Sequence, residues 1–86
     1  QAKPSFLRWM GVVLAAIRRM LEEIGLDMDR IVRTDVHLAS LEDFDTMDNA
    51  YREFFEHGHY PARTTTESPR LFHGSRVEIT CMARLL

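Results

Sequence analysis

A single cysteine, three prolines and four glycines are all that this chain of 86 residues holds of the residues that staple or interrupt a backbone. With Cys81 alone, no internal disulfide can form, so other contacts must stabilise the fold. So little Pro and Gly excludes collagen-like and linker-like chains. The sequence has no uninterrupted apolar run able to cross a bilayer and no signal-peptide pattern. No membrane partner is therefore expected, and a reducing, cytoplasmic compartment is the default. Neither sign of charge dominates. Eleven Lys and Arg against 13 Asp and Glu give a net charge of −2, so a polyanionic phosphate backbone would find no electrostatic attraction, and nucleic acid is not an expected partner. Glycine-rich phosphate loops, Gly-x-Ser-x-Gly elbows and paired-cysteine motifs are also missing, so the usual catalytic signatures are absent.

What is present describes one globular domain, with 45% apolar and 28% charged residues in a chain able to enclose a single modest core. From Ser5 to Ile24, Met10, Val13, Leu14, Ile17, Met20, Leu21 and Ile24 recur at helical spacing, with Pro4 and Ser5 at the entrance and Gly25 at the exit. Phe6, Leu7, Trp9 and Val12 widen the apolar surface beyond one stripe and point to a partner surface, whereas Arg18 and Arg19 read as a solvated face. Ile31 to Leu38 alternates as a strand, with Val32, Thr34, Val36 and Leu38 opposite Arg33, Asp35 and His37. Ser40 with Asp43 forms an acidic variant of the capping box, and Phe44, Met47, Ala50, Tyr51, Phe54 and Phe55 predict a second helix ending near Glu56 to Gly58.

The β-branched run Thr64-Thr65-Thr66 predicts a strand over Ala62 to Glu67, which Pro69 must end or place at an edge. His73-Gly74-Ser75 supplies a turn. From Arg76 to Leu85, Val77, Ile79, Cys81 and Ala83 then alternate with Glu78, Thr80, Met82 and Arg84 as a last strand. The expected fold is α+β, with two helices on one face of a small mixed sheet, in the order helix–strand–helix–strand–strand. So thin a structure leaves sheet edges unpaired, so further copies of the chain or a separate fragment are expected to complete it.

Among residues that could carry chemistry, Glu78 interrupts an apolar strand and either faces solvent or lines a site. Arg63, at a strand start after Tyr60-Pro61-Ala62, is either a surface charge or a guanidinium able to clamp a carboxylate through two parallel hydrogen bonds. His57-x-His59 with Glu56 lacks a further well-spaced ligand, so no metal is expected. Cys81 alternates with apolar neighbours, the pattern of an inert buried thiol.

Tyr60-Pro61-Ala62-Arg63-Thr64-Thr65, followed by Val77-Glu78-Ile79, resembles the signature of the Rid family of RidA/YjgF-like reactive-intermediate deaminases. Ile31 to Leu38, Leu41 to Phe44 and Asn49 to Phe55 resemble, in the same order, that family's strand, loop and helix end. The resemblance implies a Rid-like (chorismate mutase-like) fold, assembly as a homotrimer and an active site in a cleft between subunits. It further implies hydrolytic deamination of a small enamine or imine carboxylic acid to a 2-oxo acid and ammonia, without a cofactor. Arg63 would hold the substrate carboxylate, Glu78 would direct a water, and Thr65 and Tyr60 would be supporting contacts.

The family's opening strands have no counterpart here, since Gln1 to Phe6 is too short to replace them. The expectation is therefore either the C-terminal piece of a longer or cleaved protein or a shortened relative. A non-catalytic Rid-like module binding a small acid or a protein partner is the alternative to the enzyme. Ribonuclease activity, ascribed to some relatives, finds little support in the acidic net charge.

Overall fold

The computed structural model describes residues 6–85. Helix α1 spans Phe6–Glu23, strand β1 Ile31–Leu38, helix α2 Phe44–Arg52, strand β2 Ala62–Glu67 and strand β3 Val77–Ala83. Single 3₁₀ turns at Met28–Arg30, Leu41–Asp43 and Phe72–Gly74 lead into the elements that follow. Within 80-odd residues the chain thus forms the expected α+β order, with both helices on one side of the sheet. No helix among the described residues is long and apolar enough to cross a membrane.

The helical spacing of α1 puts Phe6, Met10 and Leu14 in the core, with Val13, Ile17 and Leu21 packed against it. The helix ends as Gly25 requires. Its φ of 84° is a left-handed conformation that costs glycine little, and it lets Leu26 N–H donate to the Leu21 carbonyl at 2.8 Å and Gly25 N–H to that of Glu22 at 3.1 Å. The second helix differs from expectation at both ends. Ser40 accepts from the Glu42 N–H at 3.1 Å and caps the 3₁₀ turn, not α2 itself, while Asp43 is drawn away to Arg76 at 2.7 Å. At the other end α2 stops at Arg52, and single-turn bonds from Phe54 and Phe55 N–H to the Tyr51 and Arg52 carbonyls continue the chain. These turns still deliver Phe55 to the core, which is why the apolar spacing runs past the helix.

In the sheet the order is β2-β1-β3, with β2 parallel and β3 antiparallel to the central β1. The strand alternation holds for Thr34, Val36 and Leu38, all buried, but fails at Val32, which is exposed. A bulge is the reason: between Ile31 and Arg33 the register to β3 shifts, and Ile31 enters the core in Val32's place. On β3 the expected faces are observed, although the strand is shorter than Arg76 to Leu85.

One buried polar contact fixes how α2 sits on the sheet. The hydroxyls of Thr34 and Tyr51, both nearly inaccessible, are 2.7 Å apart. Tyr51→Phe strands the Thr34 hydroxyl in the core and should cost about 1–3 kcal/mol. Thermal melting should show the loss, and adding Thr34→Val should recover most of it, because neither buried hydroxyl then remains.

Candidate functional site

The parallel pairing of β2 with β1 sets Arg63 opposite Thr34, on the face covered by α2. Its guanidinium lies 4.7 Å from the Tyr51 ring centre and 5.5 Å from that of Phe44. Nη1 of Arg63 donates to Oδ1 of Asp48 at 2.7 Å, and the two side chains are 20% and 18% exposed. Oδ2 of Asp48 accepts from Nε of Arg52, one helical turn on, at 3.0 Å. Among the described residues no other nitrogen of Arg63 has a side-chain or backbone acceptor. The Nε–Nη2 edge, the side of the fork that binds a carboxylate through two parallel bonds, is therefore without a protein partner.

Arg63, Asp48, Tyr51, Arg52, Tyr60 and Pro61 line a cleft of about 260 Å³. Tyr60 and Arg63 meet there because only Pro61 and Ala62 separate them at the strand entrance. The Tyr60 ring also faces the Arg52 guanidinium at 5.9 Å. Thr65 shares the helix side of β2 with Arg63 by alternation and is half-buried, opposite Val36, but it does not line the cleft. Glu78 lies elsewhere. It follows the buried Val77, so it projects from the uncovered face of β3, where its Oε2 accepts from the Phe72 N–H at 3.3 Å. Within one chain, then, Arg63 and Tyr60 come together, and Glu78 is on the far side of the sheet.

Around Glu78 that uncovered face is polar, with Met82 exposed further along β3. His37 stands across from Glu78 in the β1–β3 register, with its Nδ1 2.8 Å from the Thr66 hydroxyl. Asp35 accepts from the Thr64 hydroxyl and from Arg33, the latter at 3.0 Å. Cys81 faces α1 beside Ile17, Met20, Leu21, Ile24, Ile79 and Ala83, where burial pushes its thiol pKa up. A thiol that resists ionisation is a poor nucleophile, in keeping with its apolar surroundings.

Sequence reasoning missed Asp48 and Arg52. Their four-residue spacing marks a helix-surface ion pair, but only packing of α2 on β2 brings Arg63 to the same carboxylate. Partial burial opposes ionisation of Asp48, yet hydrogen bonds and charge from Arg63 and Arg52 prevail and hold its pKa below the ordinary carboxylate value. Asp35 is lowered too, first by the Thr64 hydroxyl and then by Arg33. A carboxylate depressed in the folded state adds stability above its unfolded pKa of about 3.9 and loses it as pH falls through the folded value. The melting temperature should therefore drop progressively below about pH 4. Asp48→Asn should flatten part of that drop, and an unchanged acid limb would show that Asp48 does not contribute to it.

A family model, endoribonuclease L-PSP, matches residues 10–85. The chain belongs to the Rid/YjgF/L-PSP family. Among its Rid relatives, the 2-iminobutanoate/2-iminopropanoate deaminase of Mus musculus is 37% identical over 70 residues, which are 81% of this chain and 51% of the mouse protein. Reactive Intermediate Deaminase A, chloroplastic, of Arabidopsis thaliana is 34% identical over 73 residues, 85% of this chain and 38% of that protein. A crystal structure of an L-PSP-type protein from Entamoeba histolytica superposes with a TM-score of 0.89 at 33% identity, covering 98% of this chain and 66% of that one. Against RidA of an Antarctic Psychrobacter the TM-score is also 0.89, at 24% identity, with 99% and 68% covered. This chain has the Rid-like fold over its length and spans about half the length of the curated mammalian relatives it matches.

Proposed function

We propose that this chain forms part of an enzyme that hydrolyses a small enamine or imine carboxylic acid at a cleft between subunits. The observation that carries this reading is the Arg63 guanidinium, fixed by Asp48 and by the Tyr51 ring, with its Nε–Nη2 edge unpartnered beside a cleft. A carboxylate bound on that edge would be oriented by two charge-assisted hydrogen bonds. The enamine first tautomerises to the imine. Water then adds to the imine carbon, one water proton passes to a base and the imine nitrogen takes up a proton. In the carbinolamine so formed the hydroxyl gives up its proton and the amine takes one up, the carbon–nitrogen bond breaks, and ammonia leaves a 2-oxo acid whose carbonyl oxygen came from water. Glu78 is the base in this scheme, and Tyr60 and Thr65 support the substrate.

Because Glu78 projects from the opposite face of the sheet to Arg63, it serves this reaction as a residue of a second copy meeting the Arg63 cleft. That requirement supports an assembly of copies, for which the family resemblance suggests a trimer. It also accommodates a further fragment pairing with the sheet edges. The second reading, a module that binds a small acid without turning it over, is favoured by the same separation: a chain in which no second Glu78 reaches the cleft keeps its carboxylate clamp and lacks the base.

The test is to generate an imine acid in situ by oxidising an amino acid and to follow 2-oxo acid release with and without the protein. Accelerated release that tracks protein concentration supports the enzyme. Release at the uncatalysed rate, with a 2-oxo acid still binding to the cleft, supports the module.

A further inference from the structure

We infer that His37 is a further catalytic residue of the proposed hydrolysis: it supplies the proton that the imine nitrogen takes up while Glu78 takes one from water. The inference rests on the reading of Glu78 as the base. The strands put a row of side chains on the uncovered face, Thr66 of β2, His37 of β1 and Glu78 of β3, each the register partner of the next. Residues directly opposite one another on paired strands have Cβ atoms about 4.5–5.5 Å apart. Any copy that brings Glu78 to an Arg63 cleft therefore brings His37 with it.

The row is anchored at both of its titratable members. Nδ1 of His37 is 2.8 Å from the Thr66 hydroxyl, and Oε2 of Glu78 accepts from the Phe72 N–H at 3.3 Å. Among the described residues, Nε2 of His37 and Oε1 of Glu78 have no hydrogen-bond partner, in one another or elsewhere. Each side chain is thus held by one polar atom and offers the other from the same face, as a proton-transferring group needs. The other charged groups that the strands set on this face are Asp35 and Arg33. They pair with each other at 3.0 Å, and Asp35 also accepts from the Thr64 hydroxyl, so Glu78 is the carboxylate with an oxygen free beside His37.

Imine hydrolysis takes one proton and gives another at each stage, and one carboxylate cannot do both at once. With Glu78 ionised and His37 as imidazolium, Nδ1–H donates to the Thr66 hydroxyl and Nε2–H is the proton to give. The water oxygen bonds to the imine carbon, Glu78 takes a water proton, and the Nε2 proton passes to the imine nitrogen, leaving a neutral carbinolamine. Glu78 then returns its proton to the amine while Nε2 takes the hydroxyl proton. The carbon–nitrogen bond breaks, and ammonia and the 2-oxo acid leave both residues as they began.

The experiment follows 2-oxo acid release from an imine acid generated in situ, below the melting temperature of every protein compared. His37→Ala should lower kcat about a hundredfold with KM nearly unchanged. Added imidazole should restore part of the lost rate in His37→Ala and none in Glu78→Gln. His37→Gln keeps a polar group beside Thr66 but has no proton to transfer, so it should melt like the parent and remain slow. Parental kcat in either His37 variant, or a loss in His37→Ala that imidazole leaves untouched, overturns the role of His37 and leaves the enzyme reading standing. No hydrolysis by the parent protein overturns both.

Discussion

Arg63→Ala should reduce imine hydrolysis about a hundredfold or more in kcat/KM, with the loss in both substrate affinity and turnover. The reason is that Arg63 is the cleft's best-held cation: its guanidinium lies over the Tyr51 ring at 4.7 Å and is tied to Asp48, so it loses little freedom when a carboxylate arrives. The same contacts mean that the substitution touches stability. Asp48 keeps Arg52 as a partner, but it is only 18% exposed and loses its shorter ion pair, which should cost about 1–3 kcal/mol. Activity must therefore be compared at a temperature where both proteins are folded. Arg63→Lys separates charge from shape. A lysine keeps the cation but cannot present two parallel N–H groups or spread over the Tyr51 ring, so it should recover stability better than activity. Equal rates in parent and Arg63→Ala would remove Arg63 from the reaction.

Glu78→Gln should have the second large effect and a different kinetic signature. Replacing a base that takes a proton from the attacking water should lower kcat by about 10²–10⁴-fold while leaving KM nearly as it was. The fold should tolerate the change, because the Glu78 side chain is exposed and its one hydrogen bond, from the Phe72 N–H, can be accepted by an amide oxygen. A loss confined to KM would mean that Glu78 holds substrate and that another group handles the proton.

Much of the fold was legible because short-range rules settle it. Helical spacing from Met10 to Leu21, Gly25 as a left-handed cap, the β-branched run of β2 and alternation in β3 and in β1 from Thr34 all act within a few residues, and the structure follows them, although Met20 and Ile24 at the end of the helical stripe are exposed. The departures arise where long-range packing overrides local pattern. Val32 belongs to the right phase of its strand, but the bulge against β3 exposes it and buries Ile31. Ser40 and Asp43 have the spacing of a capping box, yet Asp43 finds Arg76 from a distant part of the chain.

The candidate site divides in the same way. Tyr60 and Arg63 are near one another in sequence and share a cleft as a consequence. Asp48 was invisible as a site residue, since nothing in its own helix says that β2 will bring an arginine to it. Nor does alternation alone relate Arg63 to Glu78. Each strand's two faces can be read separately, but their relative phase emerges only when both strands pair with β1, Arg63 beside Thr34 and Glu78 beside His37. That pairing places them on opposite sides of the sheet, so within one chain they do not meet, and the reaction proposed above needs them from different copies.

Mixing the Arg63→Ala and Glu78→Gln proteins tests this claim most directly. Each variant alone should be nearly inactive. After the two are unfolded together and reassembled in equal amounts, some clefts join an intact Arg63 of one copy to an intact Glu78 of another, and random association should restore about a quarter of parental activity. Recovery near that level is the predicted result. A mixed assembly, shown by native mass spectrometry to contain both variants and yet no more active than either alone, would contradict an Arg63–Glu78 site shared between copies.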